Sequence, residues 1–254
     1  FEKRSNIGQS RHGDYEGLEN WIFDETTPLF FKNIGFDFSK INLYPISEFK
    51  VHCENKSSLL VRSKKPFFSL VKRGPLGGDF DNQLYRQCKE SGVKFRFNVN
   101  ASDKCDIIAT GSRKASAFVR GSSFRTNLKN QVHLLLGEKF SPKGYAYLII
   151  HNGHGTIATA FKKVMKSNND YLNSCKEYFK KIDIPITDEK DFGSRGSFAF
   201  SSGKISKPIR VGEAGGFQDY LFGFGMKMSM MSGYFAGLYM NGEKTNAKLL
   251  LKTI

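Results

Sequence analysis

The stretch Arg210-Val211-Gly212-Glu213-Ala214-Gly215-Gly216-Phe217, continued through Gly223-Phe224-Gly225-Met226, constrains this chain more than any other. It reads as a short strand, a glycine-rich turn, a second glycine turn and a helix of small and apolar residues ending near Leu238. Glycine suits a backbone that must take positive φ or lie flat against something bulky. A helix beginning at Gly225 aims unpaired N–H groups and a partial positive charge at whatever precedes it. An electron-rich ring or a phosphate would sit well there. A tight strand-to-helix corner with nothing bound accounts for the spacing equally well.

The 254 residues can bury a sizeable core, as one large domain or two interleaved ones. The chain opens at Phe1, whose surroundings read as the tail of a strand, so the sequence is expected to start partway through a longer protein. No apolar run reaches the eighteen or so residues that a membrane span needs. Cys53, Cys88, Cys105 and Cys175 are scattered, which argues against zinc or a disulfide framework and for a reduced, cytoplasmic setting. The net charge of +15 is spread evenly, with lysine outnumbering arginine and no basic block. That distribution argues against nucleic acid as a partner. A docking surface for an acidic electron-transfer partner, or peripheral contact with anionic lipid, fits such a surface.

Residues 10–21 lack a clear period and read as an ordered loop leading into a short helix; residues 29–50, rich in Phe, Ile and Tyr, read as one or two strands. Pro66–Val71 is a strand stopped by Arg73-Gly74-Pro75, and a helix follows with Asp79 as N-cap and Gly92 at its close. Val93–Phe97 alternates like a strand, and Cys105–Ala109 is a short buried strand ending at Thr110-Gly111. Asn152-Gly153 between two strand-like runs predicts a type I′ hairpin. His151 and His154 have HxxH spacing, but they flank the hairpin tip and lack a third ligand nearby, so no metal site is expected. Residues 168–181 form a helix around Tyr171, Leu172, Cys175, Tyr178 and Phe179; Gly193–Phe200 reads as a strand, and a last helix follows Gly242.

Arg210 through Gly233 resembles the second flavin motif of the geranylgeranyl reductase branch of FAD-dependent oxidoreductases, which share the fold of p-hydroxybenzoate hydroxylase. Gly212, Ala214, Gly216, Phe217, Leu221, Gly223 and Gly225 match that motif without a gap. Phe1-Glu2-Lys3-Arg4, Arg73 with Phe80-Asp81 and Leu84, Asp106–Gly111 and Gly144-Tyr145-Ala146-Tyr147 resemble further family segments in the family's order. The resemblance implies an α/β fold: a Rossmann-like FAD-binding domain, truncated at its N-terminus, made of 1–28, 73–112 and 205–254. It is interleaved with an antiparallel β-sheet substrate domain, 29–72 and 113–204. The family's first Gly-x-Gly-x-x-Gly strand is missing from the sequence, Glu213 stands where the family has Asp, and Tyr220 replaces a usual proline.

The resemblance also implies FAD as cofactor and a set of contacts to it. Glu2 would meet the adenosine ribose, Arg11 the pyrophosphate, and Thr110-Gly111 the adenine half. Glu213 would meet the ribityl chain, and Gly212, Gly223, Gly225 and Met226 the ring. A valine at 225 is expected to drive a Cβ into that ring. The implied reaction is reduction of carbon–carbon double bonds in an isoprenoid or other lipophilic substrate, with electrons from NAD(P)H or a ferredoxin-like acidic donor. Tyr145, Tyr147, Phe198 and Phe200 would line an apolar tunnel or fill the sheet's core. His12 and Tyr15 are the nearest general-acid candidates, and Arg73 is either a cofactor contact or an ion pair with Asp79 or Asp81. A monooxygenase or halogenase of the same fold, and a non-catalytic basic binding protein, are the other classes left open.

Overall fold

The computed structural model describes residues 1–9, 13–21, 25–100, 105–111, 115–162, 168–196, 207–219 and 222–243. In chain order the elements are β1 (Tyr15–Glu19), α1 (Thr27–Asn33), β2 (Tyr44–Ile46), β3 (Glu48–Cys53), β4 (Leu59–Arg62), β5 (Phe68–Lys72), α2 (Phe80–Glu90) and β6 (Ile107–Ile108). Then come β7 (Ala117–Arg125), β8 (Gln131–Leu136), β9 (Tyr145–His151), β10 (His154–Phe161), α3 (Asn168–Lys181), β11 (Lys190–Gly196), β12 (Ile209–Arg210) and α4 (Met226–Met240). They fall into two units interleaved along the sequence: Phe1–Pro45, Phe68–Arg113 and Phe198–Ile254 in one, Ile46–Phe67 and Lys114–Ser197 in the other.

The first unit holds a three-stranded sheet, β1-β5-β2, and the parallel pair β12-β6. Its core is Leu18, Phe30, Phe31, Phe36, Ile41, Val71 and Phe80, with Met226, Met230 and Met231 packed on it. Residues 15–19, expected as loop, are a strand antiparallel to β5. Within the run 29–50, expected to supply one or two strands, residues 29–33 belong to a helix instead, and β2 and the start of β3 supply the strands. Pro28 lies in that helix's first turn, where its missing N–H costs nothing, and Phe30 and Phe31 are fully buried. That packing is why residues 29–45 and 68–72 cluster with this unit and not with the sheet domain to which the sequence assigned them. Near the N-terminus, Glu2 N–H donates to Arg96 O at 2.8 Å and its carbonyl accepts from Val99 N at 3.0 Å. Residues 96–99 thus pair with residues 2–4, short of a regular ladder, and Asn98, at φ 56°, takes part through its N–H, which donates to Arg4 O at 3.1 Å.

Arg73 is settled as an ion pair. Its Nε and Nη2 donate to Asp81 at 2.8 and 2.7 Å, and its Nη1 to Glu16 at 2.6 Å. Burial works against the guanidinium's charge, but Glu16 and Asp81 outweigh it and hold the group protonated. The arginine therefore ties β1, the turn after β5 and α2 together.

The second unit is a seven-stranded sheet in the order β11-β7-β10-β9-β8-β3-β4, antiparallel except where β3 meets β8. Asn152 and Gly153 take φ of 48° and 75°, the pair of left-handed conformations that a type I′ turn needs, so His154 pairs with His151 and the register runs on to Ala160↔Tyr145. Ala146, Leu148 and Ile150 of β9 join the core formed with Leu172, Cys175 and Phe179 of α3. Tyr145 and Tyr147 alternate with them and are half-buried; Phe198 and Phe200 lie outside the described residues, as does the chain after 243.

Between sheet and helix runs a chain of polar groups, buried at its two histidines, that the sequence did not suggest. His133 Nε2 lies 2.8 Å from Gln131 Oε1, His52 Nε2 lies 2.8 Å from His133 Nδ1, and Tyr178 Oη lies 3.1 Å from His52 Nδ1. A carbonyl oxygen only accepts, so His133 carries its proton on Nε2, His52 does likewise, and Tyr178 O–H donates to His52. Burial, then His52 and Lys50, push the pKa of His133 down to about 4.

Candidate functional site

Strands β6 and β12 run parallel, with Ile209 opposite Ile107 and Arg210 opposite Ile108. Val211 N–H extends the pairing to Ile108 O at 3.0 Å. Ile108 and Ile209 are buried, while Ile107, expected to be buried, is exposed. Both strands end side by side, so Thr110-Gly111 and the turn Gly212–Gly215 emerge together. A Cβ built on Gly111 would meet Glu213 Oε2 at 3.4 Å. Four predicted residues, Thr110, Gly111, Gly212 and Glu213, are thus one cluster.

Gly212 takes φ 57°, the left-handed conformation that disfavours a side chain. Its N–H donates to the buried Ser232 Oγ at 2.8 Å, and that hydroxyl donates on to Ser229 O. The first corner is thereby fastened to α4. Phe217 N–H closes it by donating to Gly212 O at 3.0 Å.

The second corner is organised by Asp219, which sequence reading missed. Its Oδ2 accepts from Phe222 N–H at 2.6 Å, its carbonyl accepts from Gly223 N–H at 3.1 Å and its own N–H donates to Phe224 O at 2.6 Å. Asn and Asp commonly close turns in this way, so an Asp three residues before the Phe222 amide was a usable signal. Gly223 takes φ 71°. Gly225, the N-cap of α4, does not: its φ of −177° is extended. A Cβ there would lie 3.2 Å from Gln218 Cγ and 3.3 Å from Phe217 O. The glycine at 225 therefore also serves close packing within its own loop, where a valine would press on Gln218 and Phe217. Met226 begins the helix and lends its side chain to the core.

The remaining candidates lie elsewhere. Glu2 bonds within the N-terminal segment, its Oε1 accepting from Arg4 N–H at 2.8 Å. Arg11 and His12 lie outside the described residues. Tyr15 is buried in edge contact with Tyr44. Among the described residues no group of three or more His, Cys, Asp or Glu could hold a metal, and no helix is long and apolar enough to cross a membrane.

Two features near the α4 N-terminus went unread in the sequence. The Phe224 ring lies against Gly17 and meets Trp21 edge-on at 4.8 Å and Phe68 at 5.6 Å, leaving Trp21 half-exposed beside it. Glu19, fully buried, accepts from Lys227 N–H at 2.9 Å.

No family model matches the sequence, and no curated protein matches it. Solved structures do. A geranylgeranyl bacteriochlorophyll reductase-like protein from Thermoplasma acidophilum superposes with a TM-score of 0.66 at 17% identity, over 98% of this chain and 74% of its own. CtdE, solved with FAD and a substrate, gives 0.61 at 12% identity, over 99% and 77%. The p-nitrophenol 4-monooxygenase PnpA from Pseudomonas putida DLL-E4 gives 0.60 at 12%, over 99% and 75%. At such identities the likeness is one of fold, and the fold is the one expected from the sequence: a Rossmann-like α/β domain of the FAD-binding type interleaved along the chain with an antiparallel sheet domain.

Proposed function

We propose that this chain is an FAD-dependent oxidoreductase that reduces carbon–carbon double bonds of an isoprenoid or other lipophilic substrate. The observation that carries this reading is the paired ending of β6 and β12, with Gly111 against Glu213 and the double glycine corner leading into α4.

The residues fit the cofactor. Among the described residues, Gly111 has only a carboxylate oxygen near its absent side chain, so a ligand can approach bare main chain there. Gln218 Oε1 is a buried acceptor beside the second corner with no hydrogen-bond partner among the described residues. The loop residues 212–215 and 222–225 are neither exposed nor packed shut. FAD, when bound, supplies the hydride chemistry. Thr110-Gly111 would run beside its adenine half, Glu213 would accept from ribityl hydroxyls, and main chain at Gly212, Gly223, Gly225 and Met226 would bear on the ring. Glu2 would hold the adenosine ribose and Arg11 the pyrophosphate. The aromatic group Trp21, Phe68 and Phe224 supplies an apolar wall beside the second corner, in keeping with a lipophilic substrate. The charge of +15 suits an acidic, ferredoxin-like donor or an anionic membrane surface, with NAD(P)H as the other source of electrons.

A monooxygenase is the second reading, favoured by the likeness to PnpA. Adding FAD to the purified full-length protein is expected to give a retained yellow complex whose reduced form hydrogenates an isoprenoid and oxidises only slowly in air. Rapid oxygen-dependent oxidation with an aromatic substrate would select the monooxygenase. Failure to retain any flavin would sink both.

A further inference from the structure

β1 ends in a carboxylate that none of the roles above uses. Glu19 is fully buried. Its Oε1 accepts from the N–H of Lys227, the second residue of the fifteen-residue helix α4, whose N-cap glycine has no side chain to offer. Its Oε2 is buried and has no hydrogen-bond partner among the described residues. The amides of Lys227 and Met228 favour a negative charge at this position, while burial disfavours it and prevails, raising the group above the ordinary carboxylate range. The Lys227 side chain adds a favourable field, itself drawn on by Glu25. From β5 the residue opposite is Phe68, and from α1 Phe30 lies under the Lys227 ammonium at 5.0 Å.

This arrangement alters the simple expectation for a helix aimed at a redox ring. First-turn amides that would stabilise a charge on the ring are already committed to a carboxylate, and an ionised Glu19 would oppose a second negative charge beside it. Resting on the flavin reading of the same site, we propose that Glu19 is a positioning residue that sets the charge at the start of α4 and takes up a proton when bound flavin is reduced. Two electrons from a chemical reductant and one proton give the reduced ring with a single negative charge. A second proton passes from solvent to the Glu19 carboxylate, so the net charge around the helix end does not change.

The test is a spectroelectrochemical titration of the FAD-loaded full chain between pH 7 and 9. At about 30 mV per tenfold change for a two-electron couple, uptake of two protons lowers the midpoint potential by ~60 mV per pH unit and uptake of one by ~30 mV. The wild type is expected to follow the steeper slope, Glu19→Gln the shallower, and Glu19→Asp, which keeps the titrating group, the steeper. A one-proton slope in the wild type, or a two-proton slope in Glu19→Gln, overturns the proposal while leaving flavin binding intact. A wild type that retains no FAD overturns the functional reading itself. The apoprotein gives a second readout. A pKa raised by folding means stability is lost as pH rises through it, so Glu19→Gln should gain thermal stability over the wild type at pH 8 and not at pH 4. A difference that does not vary with pH shows that Glu19 does not titrate there and overturns the proposal.

Discussion

The seven-stranded sheet and the paired glycine corners are held together by different means. In the sheet, side chains do the work: Leu148, Ile157, Cys175 and Phe179 are wholly buried, and α3 closes over them. At the corners the bonds are mostly main-chain bonds, from Val211 to Ile108, Phe217 to Gly212 and Gly223 to Asp219, with a hydroxyl, a carboxylate and an amide fastener at Ser232, Asp219 and Gln218. A region whose side chains are mostly spent on packing has little left to offer a ligand. A region that stands on its main chain keeps surfaces open to approach, and its stability rests on fewer atoms.

Three measurements can break or sharpen this contrast. The largest effect is expected in the sheet: Phe179→Ala should cost about 3–5 kcal/mol in urea unfolding, since a fully buried ring is lost. A cost under about 1 kcal/mol would mean that α3 is not a structural lid on the sheet. Next comes acid. His133, about 4 in the folded chain against an ordinary 6.5, stays neutral where the unfolded chain is protonated. Stability should be complete above about pH 6.5 and fall by on the order of 3 kcal/mol as pH drops toward 4. Replacing His133 with Gln should flatten that window. The smallest stability effect belongs to the corners. Gly212→Ala should cost about 1–2 kcal/mol through its left-handed backbone, with a Cβ 3.3 Å from Ser229 Oγ, yet weaken flavin binding about tenfold or more. Unaltered flavin binding alongside that stability loss would make the corner a purely structural turn.

How much of this was legible in the sequence differs between the two regions for physical reasons. Asn152-Gly153, the periodic face of α3 and the run from Arg210 to Met226 declare themselves because their cause is local: a dihedral requirement or a helical period. Asp79, likewise, precedes α2 as expected, although its Oδ2 binds Leu76 N–H and not the helix. What stayed hidden was set by distant partners. Glu16 and Glu19 break the apolar alternation of β1, so the segment reads as loop. Each is explained by a group far along the chain, Arg73 for one and Lys227 for the other. Residues 27–33 carry a strand-like composition, and Pro28 was the local sign of a helix start. The His52–His133 contact joins residues 81 positions apart, beyond any pattern of spacing.

The hydrogen-bonded series from Tyr178 to Gln131 has a consequence of its own. Every donor in it points the same way, toward one amide oxygen on β8, so the orientation of a phenol on α3 is dictated from the far strand, two rings away. There is no slot for an extra hydrogen between the two imidazoles: adding one would set N–H against N–H at 2.8 Å. Helix and sheet are therefore joined by a seam that tolerates one protonation pattern, and a change of residue at Gln131 should be felt first at His133 and carried through His52 to Tyr178.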